Sequence, residues 1–183
     1  TNSFSPQLEL EISNVYSAFE SFSILWDISQ SLNLKTFTEN EWFQNNISKE
    51  EYSLSFISEI LGGNINIVSH HELLTDKDHL SYLRTPTTEY LPFDRHWSLT
   101  ACLKKENGKV ENNLYLFNAE DPGPPLDMKI GLLRYLELAY QAKLLYHWQY
   151  AYMFRDSFHN EKMRVMLPLI FPHVKLDLSG FGI

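Results

Sequence analysis

Asp94, Arg95 and His96, followed by Trp97, place a carboxylate, a guanidinium and an imidazole side by side. Those groups could do acid–base work. A second reading fits the same residues, as charged positions where a strand begins, with Trp97 turned to the core. A denser set of donors lies at His70-His71-Glu72, with Asp76, Asp78 and His79 close behind. Zinc needs three or four converging ligands, and neighbouring residues of a strand point to opposite faces. The string also departs from His-Glu-x-x-His, because Leu73, Leu74 and Thr75 follow Glu72. Cys102 is the sole thiol. It lies mid-strand, away from a helix N-terminus and without an identifiable basic partner, so burial explains it better than nucleophilic chemistry.

His147, beside Trp148 in an apolar segment, reads as a packing histidine. Gly62-Gly63 lacks both the spacing and the Lys of a P-loop, and it lacks the GxGxxG pattern. The acidic pair Glu120-Asp121 sits on a Pro-Gly loop, solvated and available to a basic partner. No catalytic residue, metal ligand or cofactor is assigned on these grounds. The candidate partner-binding residues are Asp94, Arg95, His96, Glu120 and Asp121.

These residues must be positioned by a mixed α+β fold. Its centre is a β-hairpin from Trp97 to Phe117, turning at Asn107-Gly108, a pair that tolerates the positive φ of a type I′ turn. A tight turn there pairs Leu103 with Asn112, Ala101 with Leu114 and Leu99 with Leu116. Trp97, Leu99, Ala101, Leu103, Leu114 and Leu116 then share a core face, and Thr100, Cys102, Tyr115 and Phe117 the other. The hairpin's open end carries both Asp94–His96 and Glu120-Asp121.

Ahead of the hairpin, Ser5-Pro6 opens a helix over 6–22, with Leu8, Ile12, Val15, Phe19 and Phe22 at helical spacing. Thr38 to Glu41 reads as a capping box for a short helix carrying Trp42 and Phe43. Ser48 to Glu51 opens another, which ends at Gly62-Gly63. Short strands follow at Ile65–Ile67 and Tyr90–Phe93, separated by a polar loop over 73–88. After the hairpin, Asp127 caps a long aromatic helix over 128–154, whose main stripe runs through Leu132, Leu136, Ala139, Tyr140, Lys143 and His147. A last helix over 160–171 is interrupted near Pro168.

With 183 residues, the chain is read as one domain, 1–183, with a substantial core. Its net charge of −8 repels phosphate backbones and argues against general nucleic-acid binding. Its aromatic content of 14% exceeds ordinary needs and supplies interface anchors. One cysteine forms no internal disulfide, which fits a cytoplasmic setting. Thr1 to Ser5 lacks a signal-peptide pattern, and no apolar run reaches the roughly 18 residues of a membrane span.

The segment Ser48-Lys49-Glu50-Glu51-Tyr52 through Phe56-Ile57, ending at Leu61-Gly62-Gly63-Asn64, resembles the SUKH superfamily. That group contains fungal cell-wall-synthesis regulators and many bacterial toxin-immunity proteins. The order of strand, hairpin sheet and later helix is also similar. Leu61 departs from the Asn common in the family, as do the polar insertion and the long aromatic helix. The resemblance implies a non-catalytic binding protein whose partner is a protein, in the immunity case a basic toxin domain. Two other readings are a hydrolase or small-ligand enzyme built around Asp94–His96, and an oligomeric structural protein using the aromatic helix.

Overall fold

A computed structural model of the chain describes residues 3–16, 22–26, 39–47, 62–68, 89–96, 98–121, 123–155 and 157–182. The fold is mixed α+β. Trp97, the 70–79 donor cluster, the Ser48–Leu61 segment and the polar loop over 73–88 lie outside the described residues.

The described residues belong to two compact units, Thr1–Ile24 with Ile65–Glu137, and Leu25–Asn64 with Leu138–Ile183. The first holds most of a sheet whose strand order is β1-β6-β5-β4-β3-β2, with β7 also pairing β6. Its strands are β1 (Ser3–Phe4), β2 (Phe22–Trp26), β3 (Gly63–Ile67), β4 (Tyr90–His96), β5 (Leu99–Glu106), β6 (Lys109–Asn118) and β7 (Leu126–Asp127). Helix α1 (Pro6–Tyr16) begins as expected, with Ser5 Oγ accepting from Leu8 N at 3.2 Å. It stops short of the expected end: Phe22 starts strand β2 instead of closing the helix.

The hairpin turns where its sequence demands. Asn107 and Gly108 carry φ of 50° and 78°, and Glu106 pairs with Lys109. Beyond the turn the register differs from expectation, with Leu103 opposite Leu114, Ala101 opposite Leu116 and Leu99 opposite Asn118. An irregularity between Leu103 and Lys105 moves the pairing by two residues. Because side chains alternate with period two, a two-residue shift keeps every residue on its expected face. Leu99, Ala101, Leu103, Leu114 and Leu116 are all buried on one side. Cys102 and Phe117 are buried on the other, with half-buried Tyr90 and Tyr115 packed against them.

A second irregularity lies in β4 between Pro92 and Asp94. Pro92 has no N–H to give a ladder, so a bulge is where a strand tolerates it. Ladder pairing then resumes with Asp94 opposite Ala101 and His96 opposite Leu99, which puts both on the core side.

The expected helix 128–154 is two helices, α3 (Leu132–Gln141) and α4 (Trp148–Met153). Asp127 does not cap it: Asp127 lies in β7, and its Oδ1 accepts from Lys129 N. The first amide of α3, Leu132 N, instead donates to Asn112 Oδ1 at 2.8 Å. Along α3 the buried stripe is Leu132, Tyr135, Leu138 and Ala139, while Tyr140, expected inside, is 74% exposed. Between α3 and α4 the chain leaves helical geometry, with positive φ at Lys143, Leu144 and His147. Backbone pairing in the second unit explains the break. Tyr146 N donates to Gly62 O and Asn64 N to Leu144 O, and Gly63 bridges Leu145.

The second unit also contains α2 (Glu41–Asn46), α5 (Phe158–Ile170) and a short 3-10 turn at Ser179–Phe181. Helix α2 is capped by Asn40 Oδ1, which accepts from Trp42 N and Phe43 N. Phe43, Leu145, Trp148, Ala151, Met163, Met166, Leu167 and Phe181 form buried apolar ground in this unit. No described helix is long and apolar enough to cross a membrane.

Candidate functional site

The residues singled out by sequence divide sharply. Asp94 is 1% exposed. Its Oδ1 accepts from Asn66 N at 2.8 Å, and its Oδ2 accepts from the Tyr135 hydroxyl at 2.7 Å. Burial raises its pKa to about 6, and the two hydrogen bonds pull the other way. His96 is also buried, and desolvation lowers its pKa to about 4. Arg95 is half-buried. Glu120 and Asp121 are exposed on their loop, where Asp121 Oδ1 accepts from Gly123 N. The rung His96–Leu99–Asn118 puts the end of β4 and the end of β6 at one end of the ladder. Only the Glu120-Asp121 side of that end offers its carboxylates to solvent.

Cys102 is fully buried, 4.0 Å from Thr100 O, and burial pushes its thiol well above the usual range. No group of three metal-binding side chains converges among the described residues.

A different place in the second unit presents binding groups to solvent. A cleft of about 440 Å³ is lined by Trp42 and Asn46 of α2, by Arg155 and Ser157 ahead of α5, and by Phe158, Asn160 and Glu161 of its first turn. Each wall is fixed by local chemistry. Phe43, wholly buried, anchors α2 and leaves its neighbour Trp42 at the edge. Asn46 Nδ2 donates to Trp42 O at 2.8 Å. Ser157 caps α5, its Oγ accepting from Asn160 N at 3.2 Å. Asn160 Nδ2 donates to Ala151 O and Phe181 O, tying the start of α5 to α4 and to the 3-10 turn.

Trp42 and Phe158 face each other with ring centroids 5.3 Å apart. Aromatic neighbours extend from Phe158 through His159 and Tyr150 to Phe154. Phe158 and Phe154 stay 44% and 47% exposed. The Arg155 side chain lies against Gly182, whose φ is +74°, and a Cβ there would stand 3.3–3.4 Å from Cδ, Nε and Cζ. Arg155 makes no ion pair or hydrogen bond among the described residues, whereas Glu161 is paired with Arg164 on its own helix.

Behind the rings, Lys162 is 2% exposed, and its Nζ donates to Tyr146 O at 3.0 Å. It thereby satisfies a carbonyl in the break between α3 and α4. Desolvation lowers its pKa to about 7. His159 is held near 4, chiefly by burial and then by the charge of Lys162.

Sequence reading missed this cleft because its walls are more than a hundred positions apart and carry no shared motif. The available signal was compositional, the aromatic surplus. The cleft can bind and orient an apolar group with a polar rim, and its Ser and Glu are already committed to a helix cap and an ion pair. No protein-family model, no curated protein and no solved structure matches this chain.

Proposed function

We propose that this chain is a non-catalytic protein-binding domain. The observation that carries the reading is the Trp42–Phe158 pair, half-buried at Trp42 and exposed at Phe158. It lines a cleft of about 440 Å³ together with Arg155, a side chain without an ion pair or hydrogen bond among the described residues. Trp and Arg dominate binding hot spots, because a rigid aromatic and a planar cation contribute contact at small entropic cost. The inward placement of Asp94 also favours binding over hydrolysis: both carboxylate oxygens are spent on core hydrogen bonds. The SUKH-like segment and the net charge of −8 point to the more specific form of the proposal, an immunity-type or regulatory protein for a basic partner.

A photo-crosslinker placed at exposed Asn46 tests the reading in the native cells. Wild-type protein should capture one stoichiometric protein, and Trp42→Ala or Phe158→Ala should reduce capture at least tenfold, as expected of a hot spot of about 2 kcal/mol. Equal capture by the variants, with their circular dichroism unchanged, would remove the cleft from the proposal.

A further inference from the structure

Resting on the protein-binding reading, we infer that the Trp42–Phe158 cleft anchors a partner residue pair in which a bulky apolar side chain stands next to a carboxylate. The apolar half follows from shape. The tilted ring pair is open to solvent at Phe158, and the 440 Å³ volume lies in the range of roughly 300–1,000 Å³ typical of ligand pockets. One or two bulky side chains fill such a space.

The charged half follows from which groups at the rim are already used. The Asn46 amide nitrogen is committed to Trp42 O, the Ser157 hydroxyl to Asn160 N, and the Asn160 amide nitrogen to Ala151 O and Phe181 O. Glu161 is neutralised by Arg164. Arg155 is left as the uncompensated charge of the lining, with no ion pair or hydrogen bond to its guanidinium among the described residues and with its Cδ, Nε and Cζ against Gly182. A planar guanidinium lining the same cleft as the two rings suits a carboxylate, which it can engage with two parallel hydrogen bonds.

The net charge of −8 does not oppose this arrangement. Distant carboxylates are screened over about 8 Å at physiological salt, whereas a guanidinium in contact acts at hydrogen-bond range. The long-range field steers the body of a partner, and Arg155 selects the anchor residue.

The test is selection of an unbiased, displayed peptide library on the full chain, followed by calorimetry on the enriched peptides. Enriched sequences should place Asp, Glu or a free C-terminus next to Phe, Leu or Trp. Changing the acid to its amide should weaken binding at least tenfold in wild type but less than twofold in Arg155→Gln, an exposed substitution that leaves the fold intact. Trp42→Ala should lose both peptides. Enrichment of Lys- or Arg-flanked sequences, or equal affinity for acid and amide, overturns the inference. So does competition by inorganic phosphate as effective as the acidic peptide. A wild-type dimer in light scattering that Arg155→Gln dissociates also overturns it, by giving the cleft to a second copy of this chain. Crosslinking at Asn46 separates the two proposals. A captured partner lost in Trp42→Ala, together with peptides showing no acid preference, sinks this inference and leaves the binding function standing.

Discussion

Buried ionisable residues set how this protein responds to pH. Asp94 binds its proton more tightly folded, near pKa 6, than in its ordinary state at 3.8. Its contribution is fully present below about pH 3.8 and is lost as pH rises through 6, a difference on the order of 3 kcal/mol. The stability of Asp94→Asn relative to wild type should therefore rise by about that amount between pH 4 and pH 7 in urea titrations. Taking the difference between the two proteins cancels the opposite slope from His96 and His159. Asp94→Ala removes the same titrating group, so it should show the same pH slope against wild type, but lie roughly 1–3 kcal/mol below Asp94→Asn throughout, because Tyr135 and the Asn66 amide lose their acceptor. Lys162 runs the other way. Its pKa near 7 is depressed from 10.5, so its contribution is present above 10.5 and lost as pH falls through 7. Wild-type stability relative to Lys162→Met should climb by several kcal/mol between pH 7 and pH 10, up to about 5. A flat difference over that interval would mean that Lys162 remains charged in the folded protein.

Elements here are held in register by a few polar groups that reach across the chain. Asn112 accepts from the first amide of α3 and donates to Glu11 of α1. Gly131 makes this possible, since a Cβ on it would fall 2.7–2.9 Å from the Asn112 carboxamide. Gly131→Ala should expel that side chain and lower stability by roughly 1–2 kcal/mol, much as Asn112→Ala should through the lost cap. Combining the two should cost little more than either alone, a non-additivity that a double-mutant cycle reads directly. At the hairpin, Gly108→Ala should cost about 1 kcal/mol in the urea midpoint, because φ is +78° there although the space is open. The turn was legible because Asn-Gly has a strong local preference. The irregularity at Leu103–Lys105 was not, since no Gly or Pro marks it.

For the molecule as a whole, the proposed binding function assigns encounter to the net charge of −8 and residence to the cleft. Association with a basic partner should slow by roughly tenfold or more between low salt and 0.5 M, measured by stopped flow. Trp42→Ala should leave that rate nearly unchanged and speed dissociation. Neutralising exposed Glu120 and Asp121 should do the reverse. If both kinds of change act only on dissociation, steering by charge plays no part.

Local chemistry in the sequence by itself determined the α+β class, the start of α1 at Ser5-Pro6, the hairpin turn and the two faces of its strands. Each depends on residues within a few positions, and a period of two survives a two-residue slip. Tertiary structure decided the rest. It broke the helix over 128–154, because Gly62–Asn64 claims backbone groups of Leu144–Tyr146 and Lys162 satisfies the Tyr146 carbonyl. It turned Asp94 inward, because Pro92 places a bulge just before it and Tyr135 of α3 supplies a donor. It also assembled the candidate cleft from α2 and α5, two segments whose sequences say nothing of each other until packing brings Trp42 against Phe158.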